Sequence, residues 1–196
     1  MRQVWFITHP DVRIDPAVPV PDWPLSERGR ERMRAVPNQP WTAGLRSLFS
    51  SRECKAVEAA TILSQALGLP VQQIEDLGEN DRSATGYLPK LEFEAMADAF
   101  FARPEDSERG WERAVDAQRR IVAAVDAVLR QAPGEGDIAI ISHGAVGALY
   151  LCHLQGRPIS RAADQPAGQG GNFYSFTAED RRLLHGWKSI DGQATE

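Results

Sequence analysis

The chain has 196 residues, of which 42% are hydrophobic and 25% charged, and a formal net charge of −5. One domain with a buried core fits that length. The acidic balance argues against a general nucleic-acid surface, which is basic, and no apolar run approaches the roughly 20 residues of a membrane-spanning helix. The opening MRQVWFITHP has no small-residue cleavage site and does not read as a signal peptide. Cys54 and Cys152 are too few for a disulfide framework; both lie in apolar-periodic segments and read as buried free thiols in a reducing cytoplasm.

Apolar segments alternate between short and long, the pattern of an α/β layer fold. A first strand spans Gln3–Thr8 and stops at His9-Pro10. Five prolines between residues 10 and 24 make that stretch a stiff extended loop. Ser26 caps a helix that carries Glu27 in its first turn and runs to about Val36, where Pro37 stops it. A strand at Leu45–Ser50 leads to a helix over Glu53–Leu67, ended by Gly68. After a strand at Val71–Ile74 the chain makes an excursion from about 75 to 110 with a short helix at Leu91–Phe101, held in order by Tyr87, Leu88, Phe100, Phe101 and Trp111. Val115, Ile121, Val122, Val125, Val128 and Leu129 give three-and-four spacing to a helix over Trp111–Ala132, closed by Pro133-Gly134. A strand at Asp137–Ser142 precedes a helix that follows Ser142-His143-Gly144 and ends near Gly156, and Phe173–Thr177 and Leu183–Trp187 pair as the last two strands. The expected architecture is one α/β domain over 1–196.

Three strands end on chemically capable residues: Thr8-His9, Ser50-Ser51 and Ser142-His143. Open α/β sheets bind ligands outside the carboxyl ends of their strands, so two imidazoles delivered there meet in space. A single strand-end histidine reads more simply as a hydrogen-bonded structural residue; two at equivalent ends in a small domain point to a site.

Five pieces in order then resemble the histidine phosphatase superfamily, with its phosphoglycerate-mutase-like fold: Thr8-His9-Pro10 in place of Arg-His-Gly, Leu25-Ser26-Glu27-Arg28-Gly29, SSRECKAVEAATILSQALGLPV, Leu77-Gly78-Glu79 and IAIISHGAV. The resemblance implies a three-layer sandwich, a mostly parallel central sheet flanked by helices. It implies hydrolysis of a small phosphomonoester through a phosphohistidine on His9, with no cofactor and no metal. Its partner is then a small phosphorylated metabolite or other anion, not a nucleic acid or a membrane, and the excursion forms the rim that selects it.

Under that resemblance Glu79 protonates the leaving oxygen and later activates water. His143 binds phosphoryl oxygens at a helix start, where the dipole favours an anion. Thr8 and Lys55 stand where the family has arginines: a neutral hydroxyl and a point charge replace two guanidinium forks. Arg52 and Arg82 are the candidates to compensate; Arg13 reads as a surface residue. His153 suggests helix packing, His185 an edge strand, and neither has metal-ligand spacing, while Asn172 lies close enough in sequence to the next strand to approach the site. The missing arginines keep a second reading open, a non-catalytic phosphate-ligand binder. A phosphoglycerate-mutase-type phosphotransferase is a third, without the basic run it needs, and a metal-dependent hydrolase ranks last.

Overall fold

The computed structural model describes residues 1–192. Its strands are β1 (Gln3–Thr8), β2 (Leu45–Ser50), β3 (Val71–Gln73), β4 (Asp137–Ser142), β5 (Asn172–Thr177) and β6 (Leu183–Ser189). Its α-helices are α1 (Glu27–Ala35), α2 (Cys54–Leu67), α3 (Lys90–Ala102), α4 (Ala114–Gln131) and α5 (Gly144–Leu154). The strands form one sheet in the order β3-β2-β4-β1-β5-β6. The first four run parallel, whereas β5 pairs antiparallel with β1 and with β6.

Strands covered on both faces are apolar along their whole length rather than alternating, and β1 and β4 show why. Val4, Phe6, Ile138 and Ile140 pack toward Ile121, Val125, Val128 of α4 and Val146, Tyr150 of α5. Trp5, Ile7, Ala139 and Ile141 pack on the opposite face toward Met33 of α1 and Ala56, Ala59, Ala60, Leu63 of α2. Two helical layers thus sandwich the sheet, the three-layer arrangement the sequence implied. Ser26 accepts from the Gly29 N–H as the α1 cap, and Gly68 ends α2 in the left-handed conformation.

The excursion between β3 and α4 is ordered through a third cluster, in which Met96, Phe100, Phe101 and Trp111 pack against Ala114, Ala117, Ala148 and Leu149. The proline-rich loop contains a single 3-10 turn at Val20–Asp22. Some expectations need correction. Cys152 is buried but Cys54 is only half-buried, because Cys54 opens α2 rather than facing the sheet. His153 is exposed in the last turn of α5, beside the Tyr150 ring at 5.9 Å, and packs into nothing deeper. His185 does lie on the edge strand β6, half-buried against Trp5 and Phe173. No helix among the described residues is long and apolar enough to cross a membrane.

Candidate active site

Sheet order assembles the site. In β2-β4-β1, β4 is central, and the ladder continues one residue past each strand end: the His9 N–H donates to Ser142 O (3.2 Å) and the Ser51 N–H to Ile141 O (3.0 Å). His143 therefore emerges between His9 and Ser51. The His9 and His143 ring centroids lie 5.2 Å apart, edge to face at 65°.

His9 Nδ1 lies 3.0 Å from the carbonyl of Pro10, an acceptor only, so this nitrogen carries the hydrogen and Nε2 keeps a free lone pair. Burial, together with the Lys55 charge, pushes the His9 pKa from 6.5 down to about 4. The ring is neutral and nucleophilic across the physiological range. It is half-buried and opens on a cleft of about 450 Å³, shared with Glu79, Asn80 and Arg82 and walled by α3 and by residues 164–168.

His143 is closed to solvent, against the expectation that it binds phosphoryl oxygens directly. Burial holds its pKa well below 6.5. Its Nε2 lies 2.7 Å from Ser51 Oγ and 3.4 Å from Glu53 Oε1, while Nδ1 has no partner among the described residues. With the rings in edge contact, an anion has no room between them. The cleft opens on the His9 ring and not on His143.

Glu79 is fixed from several sides. Its N–H donates to Glu53 Oε1 (2.7 Å), its carbonyl accepts from Arg120 (3.1 Å), and Ser142 Oγ ties Leu77 O to the end of β4 (2.7 Å). Its carboxyl accepts the Ala145 and Val146 N–H groups at 3.2 and 3.0 Å. The start of α5, expected to face the substrate, is thus filled by a side chain of the protein itself. Burial raises the Glu79 pKa against the opposing Arg82 charge and those two N–H bonds.

The expected phosphate-binding residues are dispersed. Lys55 is buried, donating to Val20 O (2.8 Å) and Glu53 Oε2 (2.5 Å). Thr8 donates its single hydroxyl proton to Gln165 Oε1 (2.8 Å) and accepts from the Asn172 N–H (3.0 Å), so Asn172 approaches the site through Thr8. Arg52 faces solvent and pairs with Glu75 at 2.9 Å, and Arg13 is exposed. Of Thr8, Lys55, Arg52 and Arg82, only Arg82 lines the His9 cleft.

Glu53 is the residue that sequence reasoning passed over. Its carboxylate joins Lys55, His143 and the Glu79 backbone. Burial acts to raise its pKa, but the facing His143 and Lys55 and the bonds from Lys55 and Glu79 hold it far below the carboxylate range. The signal was a carboxylate two residues before Lys55. Arg120 and Gln165 left none, since their contacts are made from far along the chain.

A mostly parallel sheet with two histidines at adjacent carboxyl ends defines an α/β protein that brings two imidazoles into edge contact, one of them open to a cleft. The profile of the histidine phosphatase superfamily (branch 1) matches residues 14–184, and the chain belongs to that superfamily. The match begins beyond His9. Solved structures share the fold over nearly the whole chain. Bacillus stearothermophilus YhfR is similar at 21% identity and a TM-score of 0.79, covering 95% of each chain. A mycobacterial glucosyl-3-phosphoglycerate phosphatase is similar at 20% identity and TM-score 0.76, covering 96% of this chain and 99% of its own. A putative α-ribazole-5'-P phosphatase of Escherichia coli is similar at 18% identity and TM-score 0.70, covering 98% and 97%. No sequence match was found among curated proteins.

Proposed function

We propose that this chain hydrolyses a small phosphomonoester through a phosphohistidine on His9. The observation that carries the reading is the neutral His9 ring, held by the Pro10 carbonyl with Nε2 free and opening on a cleft that also contains Glu79. In this scheme Nε2 forms a bond to phosphorus as the bond to the leaving oxygen breaks, and that oxygen takes the Glu79 proton. Glu79 then takes a proton from water as the water oxygen attacks phosphorus, phosphate leaves and His9 regains its lone pair. The raised Glu79 pKa favours the protonated acid needed first. His143 Nε2 shares a hydrogen with Ser51 Oγ at 2.7 Å beneath the His9 ring, which braces the nucleophile from behind. The excursion from about 75 to 110 forms the rim that selects the alcohol part. Two free thiols suit a reducing compartment such as the cytoplasm.

The test is hydrolysis of a generic aryl phosphate. Wild-type protein releases phosphate and His9→Ala loses at least a hundredfold in kcat/KM; equal rates in the two would overturn the proposal.

A second reading, a non-catalytic phosphate-ligand binder, is favoured by the Glu53–Lys55 pair, which takes from the site the cation at the family's arginine position. Phosphorylated metabolites that raise Tm without any turnover would support it.

A further inference from the structure

With Lys55 held by Glu53 and the Thr8 proton held by Gln165, the groups at the two family arginine positions are both committed elsewhere. The oxyanion that His9 attacks still needs donors, because phosphoryl transfer is catalysed mainly by positioning and charge stabilisation. The segment after Glu79 contains two unused ones. Asn80 is 5% exposed, and its Nδ2 has no hydrogen-bond partner among the described residues, although it lines the cleft that contains His9. A buried amide left unpaired is destabilising, so such donors are rare unless something else binds them.

Arg82 is the second. Its guanidinium carbon sits 5.0 Å from the Phe93 ring centroid and 5.8 Å from that of Trp111. Both are within cation–π range. Stacking uses the face of the guanidinium and leaves its in-plane N–H groups free. No acceptor is bonded to them, and no carboxylate is paired with Arg82, among the described residues. Arg82 borders the His9 cleft and two adjoining cavities. Its charge lowers the pKa of His9, His143 and Glu79 alike.

We infer that Asn80 Nδ2 and the aromatic-held guanidinium of Arg82 form the oxyanion subsite of this cleft, taking the place that Lys55 and Thr8 have left. This rests on the proposal that a phosphoryl group binds at His9. The subsite takes a tetrahedral oxyanion, with a fork from Arg82 on one side and a neutral donor from Asn80 on the other. It also explains the aromatic pair: Phe93 and Trp111 restrict the long arginine side chain before the anion arrives.

The experiment measures the Kd of inorganic phosphate by calorimetry, and kcat/KM on an aryl phosphate, for wild type, Arg82→Gln, Arg82→Lys and Asn80→Ala. Arg82→Gln is expected to weaken phosphate binding at least tenfold. Arg82→Lys keeps the charge but loses the fork and falls between. Asn80→Ala is expected to lose several-fold. If Arg82→Gln and Asn80→Ala both bind phosphate within twofold of wild type, the subsite is refuted while hydrolysis through His9 stands. If wild type binds phosphate and the variants lose it, yet nothing is hydrolysed, the subsite stands and the catalytic proposal fails. Phosphate binding by none of the four proteins overturns the subsite.

Discussion

At His9 two forces oppose each other. Burial and the Lys55 charge disfavour the imidazolium, while the Pro10 carbonyl and Glu53 favour it; the first pair prevails and the pKa falls to about 4. Activity that needs the free ring therefore persists in mild acid. The acid limb of kcat/KM against pH is expected to have its midpoint near 4, measured on protein shown to be folded; a midpoint at 6.5 would show an ordinary solvated histidine. Stability follows the same sign. Between pH 4 and 6.5 the unfolded chain binds more protons than the folded one, so the His9 contribution is complete above 6.5 and is lost as pH falls toward 4. At the same scale the proline after His9 is explained: it keeps the carbonyl that orients the ring and gives up only an N–H.

Among the elements, α5 has its first amides capped by Glu79, a side chain from a distant loop. That gives Glu79 two separable jobs. Glu79→Gln keeps a carbonyl oxygen for one N–H but has no proton to cycle, so Tm is expected to stay within a few degrees while turnover falls at least a hundredfold. Glu79→Ala loses the cap too, at about 1 kcal/mol in denaturant unfolding. Turnover by Glu79→Gln near the wild-type rate would remove the acid–base role. Elements of this kind were legible in sequence where pattern and punctuation agreed. Gln3–Thr8, Leu45–Ser50 and Asp137–Ser142 were read to the residue, because strands buried on both faces are apolar throughout and end at polar residues. The α4 start was read three residues early, since Trp111 belongs to the α3 cluster rather than to the helix stripe. Strand β6 runs two residues further than its apolar pattern, continued by the backbone pairing of Asn172 with Ser189, which no side-chain period announces.

Over the whole molecule, the order β2-β4-β1 turns three separate strand ends into one site. The pairing of His9 with His143 was legible because equivalent strand ends converge in any such sheet. What fills the space around them was not. Glu53 turns inward on Lys55, Gln165 reaches Thr8 across 157 residues, and Arg120 of α4 clamps the loop before Glu79. Such contacts depend on tertiary placement, and a substitution such as Thr8 or Lys55 shows in sequence only what is missing, not which group has claimed it. The most direct measurement of the central claim is phosphoenzyme trapping during turnover of an aryl phosphate: rapid quenching in base, then phosphorus NMR and peptide mapping. The account predicts an acid-labile, base-stable phosphoryl group on the peptide containing His9, absent from His9→Ala. Turnover that leaves residue 9 unmodified, or label on another residue that survives in His9→Ala, would contradict it.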